Sequence, residues 1–348
     1  MRFSILPLLT ARTDADVLAC WELTAFFLGE ASADVLDVDE QQAKAWYIRR
    51  IVDESEQAAY EDEDETAIGE MLEHIKGGLR QRAREHRELL GDHYPFSLNN
   101  DGRLVRKNRD QLTSISLCYL ALQFFRALSA GYIEILGNNR AAIEVETRQW
   151  RSAFADLFEY IAGYAVAGDT NGAPYPTGSS RSAGRLFALL TVMCAKIGAG
   201  RVLPLKYWNT VAAETNDGRV DCLVHVGGPG MPGPAYLTLI GATVQRDNID
   251  AKIMGPERLH FFAQFFQQQP GAFRGALVIH RDHHQLTNDK CVRLNCSMYS
   301  YLDVLTGIGK IRPNRFIRQM DAAARHLLHE IRSLELFHDE EVHGHELV

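Results

Sequence analysis

The sequence predicts an α/β (α+β) fold, in which a helical N-terminal domain precedes a mixed-sheet domain flanked by helices. Two observations lead to this fold class. Up to about residue 197 the apolar residues recur mostly at helical spacing. Beyond residue 201 the apolar residues gather in short runs bounded by turn residues, which is typical of strands. We expect a helical domain over 1–135, an α/β domain over 140–337 and a polar tail over 338–348.

The N-terminal helices follow from their buried faces and their ends. Asp14 can cap the first helix, and Pro95 ends the third one because proline disfavours helical geometry in the residue before it. Two strongly apolar helices follow a turn at 99–102 and a short strand at 104–105. The predicted helices cover 14–27, 41–60, 66–90, 112–128, 141–166 and 184–197.

The C-terminal part predicts a hairpin followed by further strands and helices. The hairpin strands are 218–226 and 235–244, and the Gly/Pro-rich segment 227–234 joins them. We expect another strand at 276–280, and 290–295 is a weaker candidate. Helices are predicted over 257–268, 299–307 and 314–337.

Composition limits how the chain could bind nucleic acid. Of its 348 residues 46% are hydrophobic and 24% are charged, which is typical of a globular protein. The formal net charge is −8, whereas proteins that bind duplex DNA unaided usually present a basic surface. Any contact with DNA therefore requires a local basic patch or a partner subunit. The chain has no apolar run long enough to cross a membrane, and we expect a cytoplasmic protein.

One local basic patch is predicted on the third helix. Arg80, Arg84 and Arg87 share one helical face and could grip phosphate oxygens. The alternative is a solvated face on which these arginines pair with Glu85 and Glu88.

Two acidic residues stand out because apolar residues surround them. Asp221 lies in the first hairpin strand, where aspartate is rare, and its plainer interpretation is a turn residue after Asp217 and Gly218. Glu159 lies within an apolar helix, and its plainer interpretation is a surface residue of an amphipathic helix. The two acids could instead act together at one site.

The order of these residues resembles restriction-endonuclease-like proteins of the PD-(D/E)XK superfamily from bacterial defence loci. In that group a helix contributes an acid, the first hairpin strand an aspartate, and the next strand an acid and a lysine two residues apart. Glu159 and Asp221 match the first two parts, but Ala242 and Val244 stand at the positions of the last pair. Gly241, Asn248 and Lys252 also fall at positions compatible with the group, and the segment 90–96 resembles its helical N-terminal part.

The resemblance implies two hypotheses about function. The favoured one is a nuclease-fold subunit with impaired or absent catalysis, which docks to nucleic acid or scaffolds an anti-phage or mobile-element defence assembly. The alternative is an active DNA endonuclease that uses Mg²⁺ or Mn²⁺ bound by Glu159 and Asp221, with Gln245 and Lys252 replacing the missing pair. We expect a protein partner, with a homo-oligomer as a further possibility, and no membrane association. The histidines at 280, 283 and 284 lack a soft ligand at suitable spacing, so we expect no zinc site there.

Overall fold

The α/β fold class is confirmed by the computed structural model. It describes residues 2–5, 14–31, 65–130, 133–136, 140–177, 183–210, 220–227, 235–244, 248–280 and 285–311, together with 322, 324–326, 329 and 335–336. The predicted helix 41–60, the tail 338–348 and most of the predicted helix 314–337 lie outside these residues. Among the described residues, no helix combines the length and the apolar character needed to span a membrane.

The chain divides into two compact units. Unit 1 comprises residues 1–151 and 321–348, and unit 2 comprises residues 152–320. The division falls within one long helix, Arg140–Thr170. The domain boundary near 135–140 concerns independent folding and stays a prediction.

The described residues of unit 1 form helices and two small sheets. Strands β2, β3 and β4 form an antiparallel sheet, while β1 pairs with β5 and with the short strand Glu335–Leu336. A strand at 335–336 corrects the predicted helix 314–337 at that point. The elements are β1 (Arg2–Ile5), α1 (Asp14–Leu28), β2 (Glu30–Ala31), α2 (Glu65–Leu90), β3 (Phe96–Leu98), β4 (Leu104–Arg106), α3 (Ser114–Ala130) and β5 (Ile133–Leu136).

A buried carboxylate lies in the core of unit 1. Glu22 of α1 is fully buried and accepts hydrogen bonds from Tyr94 Oη at 2.6 Å and from Tyr119 Oη at 2.7 Å. The amide of Gln123 also donates to it, and His86 Nδ1 lies 2.6 Å from Tyr119 Oη. These bonds satisfy a group that would otherwise be costly to bury.

Unit 2 contains the main sheet and its surrounding helices. A 3₁₀ turn, Leu205–Thr210, precedes the hairpin. The elements are α4 (Arg140–Thr170, whose residues from 152 onwards belong to this unit), β6 (Ala173–Pro176), α5 (Ala183–Ile197), β7 (Arg201–Val202), β8 (Cys222–Val226), β9 (Tyr236–Thr243), α6 (Ile249–Lys252), α7 (Pro256–Ala263), β10 (Phe266–Gln268), β11 (Ala272–Ile279), α8 (Gln285–Arg293), β12 (Cys296–Tyr299) and α9 (Tyr301–Gly309).

The main sheet has the strand order β12-β11-β9-β8-β6. The β8–β9 pair is antiparallel, as the hairpin prediction requires, and β6 is antiparallel to β8. Strand β11 runs parallel to both β9 and β12. One edge of the sheet therefore gathers the carboxyl ends of β9 and β11 and the beginning of β8.

Helices approach both faces of this sheet through glycines. On one face, a Cβ on Gly163 of α4 would lie 2.2 Å from Cys222 Sγ. On the other face, a Cβ on Gly241 of β9 would lie 2.0 Å from the carbonyl oxygen of Lys252. These positions must lack a side chain for the backbone of the helical segment to come so close. Helix α4 on one face and helix α6 on the other face thus flank the edge of the sheet where β8 begins.

Two predictions about this region were wrong. Residues 290–295 were expected to form a strand, but they form the end of α8 and the turn before β12, where Asn295 has a φ of 53°. The helix expected over 257–268 ends at Ala263, and Phe266–Gln268 form strand β10 instead. Pairing of β10 with β7 outweighs the helical pattern of the phenylalanines.

Candidate functional site

Asp221 lies immediately before β8, at the edge of the sheet described above. Its backbone N–H donates to the carbonyl of Ile240 at 2.8 Å, and its own carbonyl accepts the N–H of Thr177 at 3.1 Å. Thr177 Oγ1 also donates to the carbonyl of Val220 at 2.7 Å. The residue is only 1% exposed. The backbone on both sides thus holds this carboxylate at a fixed place.

The side chain of Asp221 is paired with a lysine from another element. Lys252, the last residue of α6, places Nζ 2.6 Å from Oδ1 and 2.5 Å from Oδ2. The Lys252 side chain is 16% exposed and that of Asp221 is 0% exposed. A charge-assisted contact of this kind compensates the cost of burying the carboxylate. The two residues predicted from sequence as site members therefore lie in direct contact.

On β9, the residue beside Asp221 contacts the carboxylate through its backbone N–H and not through a charged side chain. The N–H of Ala242 donates to Asp221 Oδ2 at 2.8 Å, and Ala242 is 5% exposed. In the PD-(D/E)XK pattern that the sequence resembles, this position would carry the second acid. Ala242 therefore contributes a backbone donor at this point and no carboxylate.

Glu159 lies on α4, which packs against the face of the sheet opposite to the one that α6 covers. It lies one helical turn before Gly163, whose Cα packs against Cys222. Burial raises the pKa of the Cys222 thiol most strongly, and the charges of Asp221 and Glu159 raise it further. Burial also raises the pKa of Tyr160, and the negative charges of Glu159 and Asp156 raise it further. Glu159 and Asp221 thus both act on Cys222, the first residue of β8.

The predicted metal site stays a prediction. Within the described ranges, no three side chains of His, Cys, Asp or Glu gather closely enough to hold a metal ion together. Gln245, the predicted substitute ligand, lies outside the described residues. Metal binding by Glu159 and Asp221 and catalytic roles for Gln245 and Lys252 remain predictions.

Sequence reasoning set His280 aside, although it lies at the same edge of the sheet. Its N–H donates to the carbonyl of Thr243, the last residue of β9, at 3.3 Å. The imidazole is 5% exposed and contacts the rings of Phe154, Phe158 and Tyr301 edge-on. The signal that could have found it is its place directly after a buried strand parallel to β9. Its imidazole thus packs among aromatic rings beside the site.

The predicted arginine stripe is only partly presented to solvent. Arg84 and Arg87 are exposed on α2. Arg80 is half-buried, and its Nε has no hydrogen-bond partner among the described residues. A Cβ on Gly102 would lie 2.9 Å from that Nε, so Arg80 packs against the turn at 99–102. Its role as a phosphate contact stays a prediction.

No protein-family description and no curated protein matches the chain. One solved structure with partial similarity is the MspJI restriction endonuclease in complex with a 27-mer oligonucleotide. The identity is 10% and the TM-score is 0.24, and the match covers 60% of this chain and 40% of the other. A similarity of this size supports no conclusion about fold or activity by itself.

Proposed function

We propose that the chain is a nuclease-fold subunit in which a lysine has replaced the catalytic cation, and that it docks to nucleic acid in a bacterial defence assembly without efficient cleavage. One observation carries this proposal: the Lys252 ammonium contacts both oxygens of the buried Asp221 carboxylate. The defence setting comes from the sequence resemblance alone.

The ammonium and a divalent ion compete for the same oxygens. Mg²⁺ binds carboxylate oxygens at about 2.0–2.1 Å. Lys252 Nζ, at 2.6 and 2.5 Å from the two oxygens, fills the space beside the carboxylate that such an ion would need. Ala242 adds no carboxylate, and Mg²⁺ gives up its waters reluctantly unless several oxygens surround it. Without a bound ion, neither activation of water nor neutralisation of the scissile phosphate is supplied.

The test is a plasmid-nicking assay with the full chain. Supercoiled plasmid is incubated with Mg²⁺ or Mn²⁺ and with wild-type protein or the Asp221→Ala variant, and EDTA serves as the blank. We expect the two proteins to nick at the same background rate. Metal-dependent nicking that both Asp221→Ala and Gln245→Ala abolish would overturn the proposal.

The same contact also favours the second candidate, an active Mg²⁺- or Mn²⁺-dependent endonuclease. A lysine beside the acid is part of the family pattern, and Lys252 could supply it from α6 in place of β9. In that case Glu159, Asp221 and Gln245 would hold the ion and Lys252 would orient the attacking water. The nicking assay separates the two candidates, since only the second requires cleavage.

Docking requires basic surface that the net charge does not supply. With a formal charge of −8, we expect the isolated chain to bind duplex DNA weakly and with steep salt dependence. Arg80, Arg84 and Arg87 are one proposed contact, and a partner subunit or a second copy of the chain would add others. Tight binding by the chain alone that salt does not weaken would contradict this part of the proposal.

A further inference from the structure

An unusual charge imbalance marks the segment between the long helix and the hairpin. Residues 170–213 contain five basic residues and no acidic one, although the whole chain carries 45 acidic and 37 basic residues. The basic residues are Arg181, Arg185, Lys196, Arg201 and Lys206. The first of them lies outside the described residues, and the other four are all exposed.

Two of these charges share the outer face of α5. Arg185 and Lys196 are eleven residues apart, which brings them back to the same side of a helix about 16 Å further along its axis. Ala188 and Val192 lie between them on that face, and Val192 is 49% exposed. The opposite face carries the buried residues Leu186, Leu190, Met193 and Cys194, which pack against the sheet. Packing of the apolar face therefore fixes the direction in which the charged face points.

The other two charges follow in the next short elements. Gly198 and Gly200 have φ values of 71° and 84°, so the chain turns tightly from α5 into β7, where Arg201 begins the strand. Lys206 lies in the 3₁₀ turn that follows. Arg201 is five positions from Lys196 and five from Lys206. The Cα atoms within each of these two pairs are therefore at most about 18 Å apart. The four exposed basic residues thus follow one another along α5, β7 and the 3₁₀ turn, with no acidic residue between them.

An anchored aromatic residue accompanies these basic residues. Trp208 is buried, donates through Nε1 to the carbonyl of Leu203 at 2.8 Å, and packs against Phe187 of α5. It thereby fixes the turn on which Tyr207 is 51% exposed. Lys206 Nζ lies 4.9 Å from the centre of the Tyr207 ring. A lysine beside an exposed aromatic ring is a combination that binds a phosphate and stacks with a base.

We infer that Arg185, Lys196, Arg201 and Lys206, with Tyr207 beside them, form the main surface of this chain for the phosphodiester backbone of a nucleic acid. Like charges that follow one another along the chain repel, and a polyanion removes that cost when it binds. This inference deepens the proposed function, because it names the surface through which docking takes place. It places the contact in unit 2, whereas the arginine stripe of α2 lies in unit 1.

The test measures the affinity of the full chain for fluorescent duplex and single-stranded oligonucleotides by anisotropy over a range of salt. The test variant combines Arg185→Gln, Lys196→Gln, Arg201→Gln and Lys206→Gln, and the matched control combines Arg84→Gln and Arg87→Gln. We expect the test variant to lose about tenfold or more in affinity and its log–log salt slope to fall by about 3. The control should lose less, and Tyr207→Ala should weaken single-stranded binding more than duplex binding. All exchanged residues are exposed, so thermal unfolding should confirm that the variants fold.

Three outcomes would overturn the inference. They are an unchanged affinity of the test variant, a larger loss in the control, and binding of anionic lipid vesicles in preference to both oligonucleotides. Failure of the proposed function is a separate result, since metal-dependent nicking by the wild-type chain would disprove impaired catalysis while leaving the surface in place.

Discussion

Gly163 of α4 lies so close to Cys222 of β8 that a single methyl group between them would overlap the sulfur. A Cβ on this glycine would stand 2.2 Å from Cys222 Sγ and 3.1 Å from its Cβ. The next residue on one side of this contact is Asp221, and Glu159 lies one turn away along the helix. The spacing of the two acids thus depends on how closely the helix approaches the strand.

We therefore expect Gly163→Ala to destabilise unit 2 by about 1–3 kcal/mol, because overpacking forces backbone shifts. Adding Cys222→Ala should restore part of the loss, since it removes the sulfur that the new methyl group meets. Chemical denaturation measures both variants. Gly184→Ala is the control, because a Cβ there would have no atom within 4 Å. Equal stability of Gly163→Ala and wild type would show that the helix and strand can separate without cost.

A second prediction concerns the pH dependence of stability. Burial raises the pKa of Glu22 from 4.5 to about 7, and hydrogen bonds from Tyr94, Tyr119 and Gln123 offset only part of that rise. The folded chain then holds a proton that the unfolded chain has lost between these pH values, so the contribution of Glu22 to stability is fully present below about 4.5 and is lost as pH rises through about 7. The loss amounts to roughly 3 kcal/mol.

Glu22→Gln should abolish this contribution, because an amide does not titrate in that range. We expect the difference in unfolding free energy between wild type and variant to change in favour of the variant from pH 5 to pH 8. Glu73→Gln serves as the control, since Glu73 is an exposed partner of Lys76 at 3.0 Å. A difference that stays constant with pH would mean that Glu22 does not titrate in the folded chain within this range.

The sequence predicted what depends on local patterns. The α/β class and the antiparallel hairpin follow from apolar spacing and from the Gly/Pro-rich loop, and both are confirmed. Strand β10 was missed because the phenylalanines at 261, 262, 265 and 266 fit a helix, and only pairing with the distant strand β7 decides otherwise. The end of helix α8 was instead predicted as part of the weak strand 290–295.

The sequence predicted which residues belong to the site, but not how they contact one another. Asp221 stood out because aspartate is rare in an apolar strand, and the resemblance brought attention to Lys252. The direct contact between them was not foreseen, because it depends on α6 crossing closely over Gly241 of β9. Thirty-one residues separate the two partners, so no local pattern encodes their pairing.

The last prediction asks whether the ammonium of Lys252 excludes a divalent ion from Asp221. Lys252→Met keeps the length of the side chain but leaves Asp221 buried without its counter-charge, which typically costs about 3–5 kcal/mol. We expect Mn²⁺ to raise the melting temperature of this variant, because an ion that binds the folded state alone stabilises it by mass action. The wild-type melting temperature should not respond to Mn²⁺, since Nζ contacts both oxygens at 2.6 and 2.5 Å.

Lys290→Met is the matched control, because it breaks an exposed ion pair with Asp250, 2.7 Å long, and should leave the melting temperature unresponsive to Mn²⁺. In Asp221→Asn combined with Lys252→Met the response should vanish, since the carboxylate that binds the ion is gone. Stabilisation of the wild-type chain by Mn²⁺ would mean that the ion and the lysine share the site, as the active-endonuclease candidate requires.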